Sequence, residues 1–142
     1  MPFWNNPPSA DDSLPKNDRG SGSLSNYVGV LMPRNAKVTM RLAGSDPSQD
    51  ELAALAAEEA ELTTATPART TAEEGVDAPI EVRIFSGRRV SGVVGTVPRG
   101  LESAYDEAVR RLDGRGSKPR IPVAAVKTKH GYRVDLLMGL TR

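Results

Sequence analysis

The chain has 142 residues, 38% hydrophobic and 4% aromatic, with no cysteine. That is enough for one domain with a real core, yet too lean to place every segment inside it. Disulfides and thiolate metal sites are excluded, and no run approaches the roughly 18 apolar residues of a membrane helix. With a polar, proline-rich N-terminus in place of an apolar leader, a soluble, cytoplasmic protein without membrane partners is expected. The net charge of +1 hides an asymmetry: residues 1–78 hold 6 basic and 12 acidic residues, residues 79–142 hold 13 and 6. The first part therefore stands at −6 and the second at +7. Either the second part meets an anionic partner or the two parts neutralise each other across the fold.

Residues 1–35 are expected to form a flexible tail, and residues 36–142 the domain. Up to Asn26 the tail is rich in proline, glycine, serine and mixed charge, with little to bury against the entropy of ordering. Phe3 and Trp4 stand out as a short docking peptide for a protein partner, or as an anchor folded back onto the domain. Tyr27 to Met32 is a brief apolar run that predicts an extra edge strand, ended by Pro33. Ala36 to Leu42 alternates, with Val38, Met40 and Leu42 on one face, and predicts the first core strand.

A helix start follows, with Asp46 as N-cap, Pro47 at the first helical position and Gln49 completing a capping box. Leu52, Leu55 and Ala56 give it a narrow apolar stripe to about Ala60. Glu58, Glu59 and Glu61 read as a solvated, weakly stable helix end. Leu62 to Thr71 is threonine-rich and favours an edge strand because of Pro67. Ala72 to Val76 reads as an acidic turn.

Ile80 to Phe85 alternates again, with Glu81, Arg83 and Phe85 on the outer face. The polar break Ser86-Gly87-Arg88-Arg89 leads into a second strand from Val90 to Val97. Gly92 and Gly95 mark a bulge or a place where another backbone comes close. Pro98 closes that strand. Leu101, Tyr105, Ala108 and Leu112 then fall at helical spacing, with Gly114 just past the helix end. Arg120 to Lys127 and Tyr132 to Met138 form a hairpin about Thr128-Lys129-His130-Gly131. The order β, α, β, β, β, α, β, β predicts a mixed β/α, mainly β fold. Its architecture is a small curled antiparallel sheet or partly open barrel with two helices.

Catalysis finds no handle. His130 is the single histidine and falls in a predicted turn. No acidic or histidine cluster has metal spacing, and no Gly-x-Ser-x-Gly elbow or Walker loop is present. A non-enzymatic protein without cofactor is expected. Arg88-Arg89-Val90-Ser91 fits a basophilic kinase pattern, but Ser91 lies within a predicted strand. What remains is electrostatic. Arg83, Arg88, Arg89 and Arg99 come from the central unit; Lys118, Arg120, Lys127, Lys129 and Arg133 come from the terminal hairpin and its approach. If the hairpins are neighbours, these cations form one stripe suited to phosphates, with Phe85 and Tyr132 interleaved. A DNA- or RNA-binding module and a protein-binding adaptor using the tail or an apolar sheet face stand as the two alternatives.

The motifs resemble those of the HIRAN domain. Gln49-Asp50 and Leu52 after Gly44 resemble its Gln-Asp/Glu-x-Leu helix. Asp77 before Ile80–Ile84, and Val94-Gly95-Thr96-Val97-Pro98-Arg99, resemble its later motifs, and the likeness spans about residues 36–140. It implies a small nucleic-acid-binding module, tied in that family to DNA repair and replication. Where the family carries Asn-Pro-Tyr this chain has Glu74-Gly75-Val76, and Thr96 replaces the aromatic before Pro-Arg. Without those stacking groups, affinity is expected to rest on ion pairing through Arg83, Arg88, Arg89, Arg99, Lys127, Lys129 and Arg133.

Overall fold

The computed structural model describes residues 14–58 and 60–142; Phe3, Trp4 and Glu59 lie outside them. Among these residues eight strands form three antiparallel sheets. A two-residue hairpin pairs β1 (Tyr27–Val28) with β2 (Met32–Pro33). One three-stranded sheet runs in the order β3 (Met40–Arg41), β8 (Gly131–Leu136), β7 (Val123–Thr128). The other runs β4 (Leu62–Thr64), β5 (Glu81–Ser86), β6 (Arg89–Thr96). The three-stranded sheets touch through isolated bridges at both margins, Ala43 with Thr96 and Thr63 with Pro122. The result is the expected mainly β, partly open barrel. Helices α1 (Gln49–Ala57), α2 (Thr71–Gly75) and α3 (Glu102–Gly114) complete it.

Alternation does what the sequence requires. Val82 and Ile84 are fully buried while Glu81 and Arg83 face solvent. Val134 and Leu136 join them in the core with Met40, Leu42 and the α3 residues Ala104, Tyr105 and Ala108. Burial pushes the Tyr105 hydroxyl up to about 12. The curl comes from β6, whose register against β5 slips between Val82 and Arg83 and again between Arg83 and Phe85. Each slip inserts an extra β6 residue, which bends the strand and adds twist. At the second, the Ser91 hydroxyl accepts the Ile84 N–H at 2.9 Å in place of a ladder carbonyl. A Cβ on Gly95 would lie 2.8 Å from the Leu42 Cβ and 3.0 Å from the Ala43 carbonyl. Only glycine lets β6 approach β3 closely enough for Ala43 and Thr96 to exchange hydrogen bonds of 2.8 and 2.7 Å.

The free margin of β6 is closed by side chains from the start of α1. Ser45 and Ser48 donate to the Val94 and Val93 carbonyls at 2.8 and 3.1 Å, and Glu51 accepts the Gly92 N–H at 2.9 Å. The expected capping box at α1 does not form. Gln49 instead reaches across to β8, accepting the Tyr132 N–H at 2.7 Å and donating to its carbonyl at 3.0 Å. Ala56 is exposed, and Glu58 bonds the Ser86 hydroxyl rather than standing free in solvent. The acidic turn at 72–76 is a helical turn, α2, because Thr70 and Glu73 make a reciprocal capping box. Pro67 lies beyond β4, which ends at Thr64. Arg69, just before α2, reaches the fully buried Asp106 of α3 with a 2.9 Å ion pair. Desolvation disfavours that guanidinium's charge, yet the bond to Asp106 holds it above its ordinary value.

Of the stretch expected to form the tail, the structure describes residues 14–35. Residues 18–21 lie along the edge of β3, and β2 packs against α3 and the turn at 138–141. Asp18 is buried, its carbonyl accepts the Gly44 N–H at 2.9 Å, and Ser21 exchanges hydrogen bonds with Arg41. Tyr27 is buried as well, its hydroxyl also pushed up to about 12 by burial against a lowering pull from Arg111. The reason is electrostatic: a buried arginine on β8 needs an acid, and Asp18 supplies it.

Candidate nucleic-acid interface

Strand alternation puts Arg83 and Phe85 on the outer face of β5, opposite Thr63 of β4. The Thr63–Pro122 bridge brings the approach to β7 alongside. There the Arg120 guanidinium lies 4.0 Å over the centre of the Phe85 ring, a cation–π stack that fixes a flexible cation on a rigid strand. Phe85 and Arg120, with Thr63, Gly87, Lys118 and Glu61, line an open basin of about 380 Å³. Arg88 follows Gly87 in the exposed β5–β6 turn. Glu61 is the carboxylate on the rim.

The seven arginines and lysines expected to bind phosphate divide into three groups. Arg83 lies two positions from Phe85 on the same outer face of β5, and Arg88 is in the adjoining turn; among the described residues the Arg83 guanidinium reaches the Ser91 carbonyl, at 3.5 Å. Arg89, from the same hairpin, is 83% exposed but turns toward Glu58 at 3.9 Å. Lys127 and Lys129 are exposed at the β7–β8 tip, Lys127 with its ammonium 5.8 Å from the Tyr132 ring centre. Tyr132 meets Gln49 at the start of α1, and the 86–89 turn meets Glu58 just past its end. The two hairpin tips are thus separated by the length of a nine-residue helix, about 13 Å at 1.5 Å per residue. They are two patches rather than one stripe.

Arg99 and Arg133 are paired with acids within the fold. Arg99 is tied to Asp77 at 2.6 Å and to Glu102 at 2.7 Å at the start of α3. Arg133 is buried on β8, 2.8 Å from Asp46 and 3.4 Å from Asp18, and donates to the Tyr132 and His130 carbonyls. Sequence reading counted Lys118 and Arg120 among the cations but did not select them. Arg120 and Phe85 are 35 positions apart, and only the sheet-to-sheet bridge joins them.

One contrast sorts the cations. Among the described residues Arg41, Arg69, Arg99, Arg110 and Arg133 form ion pairs of 3.5 Å or less. Arg83, Arg88, Lys118, Arg120, Lys127 and Lys129 form no ion pair with the described residues. No group of three or more histidine, aspartate or glutamate residues is placed to hold a metal ion among the described residues, and no described helix is long and apolar enough to cross a membrane. Ser91 is held in the sheet, its hydroxyl bonded to Ile84 and Gly92. Comparison of the chain with protein-family models, with curated proteins and with solved structures finds no match.

Proposed function

We propose that the protein binds nucleic acid through its phosphates, on the outer face of β4 and β5. The observation that carries this reading is the unneutralised set of Lys118 and Arg120 beside Phe85, with Arg83 on the same strand and Arg88 in the adjoining turn. Charges already paired within the fold have little left for a ligand, whereas these exchange only water and counterions on binding. The HIRAN-like motifs and their order support the same class of ligand. Lys127 and Lys129 add a second contact on a longer strand.

Fluorescence anisotropy with a labelled 20-nucleotide DNA tests it. Four phosphate contacts imply a loss of affinity of roughly 100-fold between 50 and 200 mM salt. Arg83→Glu combined with Lys118→Glu is expected to weaken binding by more than tenfold while the melting temperature holds. Equal affinity at both salt concentrations, or an unaffected double variant, would discard this face. A second reading, a protein-binding adaptor, draws on one feature: Leu24, Val28 and Val30 are exposed on and beside the β1–β2 hairpin. Absence of binding to any DNA or RNA would move that reading ahead.

A further inference from the structure

Between Leu14 and Asn26 a single residue, Asp18, is buried. Its first part, residues 14–22, runs along the outer edge of β3 without a buried apolar side chain, held there by the Asp18 carboxylate and by three backbone hydrogen bonds to Arg41 and Gly44 among its contacts. Segments with few apolar contacts and exposed backbone bonds open at the low end of a protein's stability range. The seat of that carboxylate is a built anion site. Its oxygens accept the Ser45 N–H at 2.7 Å and the Asp46 N–H at 3.0 Å, and the Arg133 guanidinium lies 3.4 Å away. The Arg133 side chain is only 2% exposed, and its Nε has no partner among the described residues. Asp46 stands on the other side of the same guanidinium at 2.8 Å, so Arg133 keeps one acid when Asp18 leaves.

We infer that residues 14–22 are a releasable strap whose Asp18 carboxylate occupies, in cis, a site for a phosphate group. A phosphodiester carries the same single negative charge as Asp18 and can accept from the same two backbone amides and the guanidinium. Release exchanges one anion for another and leaves no buried arginine uncompensated. The strap thereby holds a third cationic point out of reach until the chain opens. The identity of the ligand as a nucleic-acid phosphate rests on the function proposed above; the strap and its seat do not.

Two full-length variants open the strap by unrelated routes. Asp18→Asn removes the charge that seats it. Gly20→Val leaves every charge in place, but a Cβ there would lie 2.6 Å from the Arg41 carbonyl at a φ of +74°, so the strap must lift. Both are expected to raise the rate of tryptic cleavage after Lys16 and Arg19 at least fivefold. Both should also tighten binding of the labelled DNA about threefold to tenfold, and inorganic phosphate should raise their melting temperature more than that of the parent. Faster cleavage with neither gain would overturn the anion site, and unchanged cleavage in both variants would overturn the strap. If no variant binds DNA but phosphate still protects both from heat, the strap and its site stand while the nucleic-acid reading falls.

Discussion

Two arginine-bearing sheet faces in this molecule have opposite fates. On β8, Arg133 alternates outward and is then buried under Asp18 and Asp46. On β5, Arg83 also alternates outward and stays in solvent, two positions from Phe85. Residue type and strand position are the same. The difference is whether an acidic segment reaches the face, which strand-level patterning cannot encode. A cation's availability is therefore set by the connections between strands.

Removing a charge on each face should separate the two most widely. Arg133→Met strands Asp18 and Asp46 without their shared cation and is expected to cost about 3 to 5 kcal/mol, read as a shift in urea midpoint. Gly95→Ala sharpens the contrast by prising the faces apart at their common margin. Overpacking against Leu42 and the Ala43 carbonyl should destabilise by roughly 1 to 3 kcal/mol. Alkali tests the covered region through its tyrosines. Tyr27 and Tyr105 titrate near 12 in the fold against an ordinary 10, so the unfolded chain ionises first. Stability is complete below about pH 10 and is lost as pH rises toward 12; Tyr105→Phe should flatten that decline in urea melts. Smallest is Arg83→Ala, expected within about 0.5 kcal/mol of the parent. If that substitution proved as costly as Arg133→Met, the distinction between the faces would collapse.

The central hairpin, the terminal hairpin and both longer helices were legible because their apolar residues keep period over five or more positions. Gly95 was legible too, as a place where another backbone comes close. The burial of Arg133 was not legible because its partner Asp18 lies 115 positions away in a stretch whose composition argues for disorder. α2 was missed although Thr70 and Glu73 carry its signature three residues apart, since the neighbouring acids looked like a turn. The Arg120–Phe85 stack depends on which sheet margins meet, and no local pattern specifies that.

Gln49 has a consequence for how the chain is made. Its side-chain amide stands in for a strand neighbour of Tyr132, and Met40 pairs with Leu136 close by. The start of the domain is therefore completed by the last of the described strands, a contact pattern of long sequence separation that folds slowly. During synthesis β3 and α1 must wait, unpaired, until Leu136 has left the ribosome. At about 5 to 20 residues per second that is several seconds to some twenty seconds in which Met40, Leu42 and Leu52 have no core to enter. A chain truncated before β8 would leave them in that condition permanently and become a substrate for chaperones.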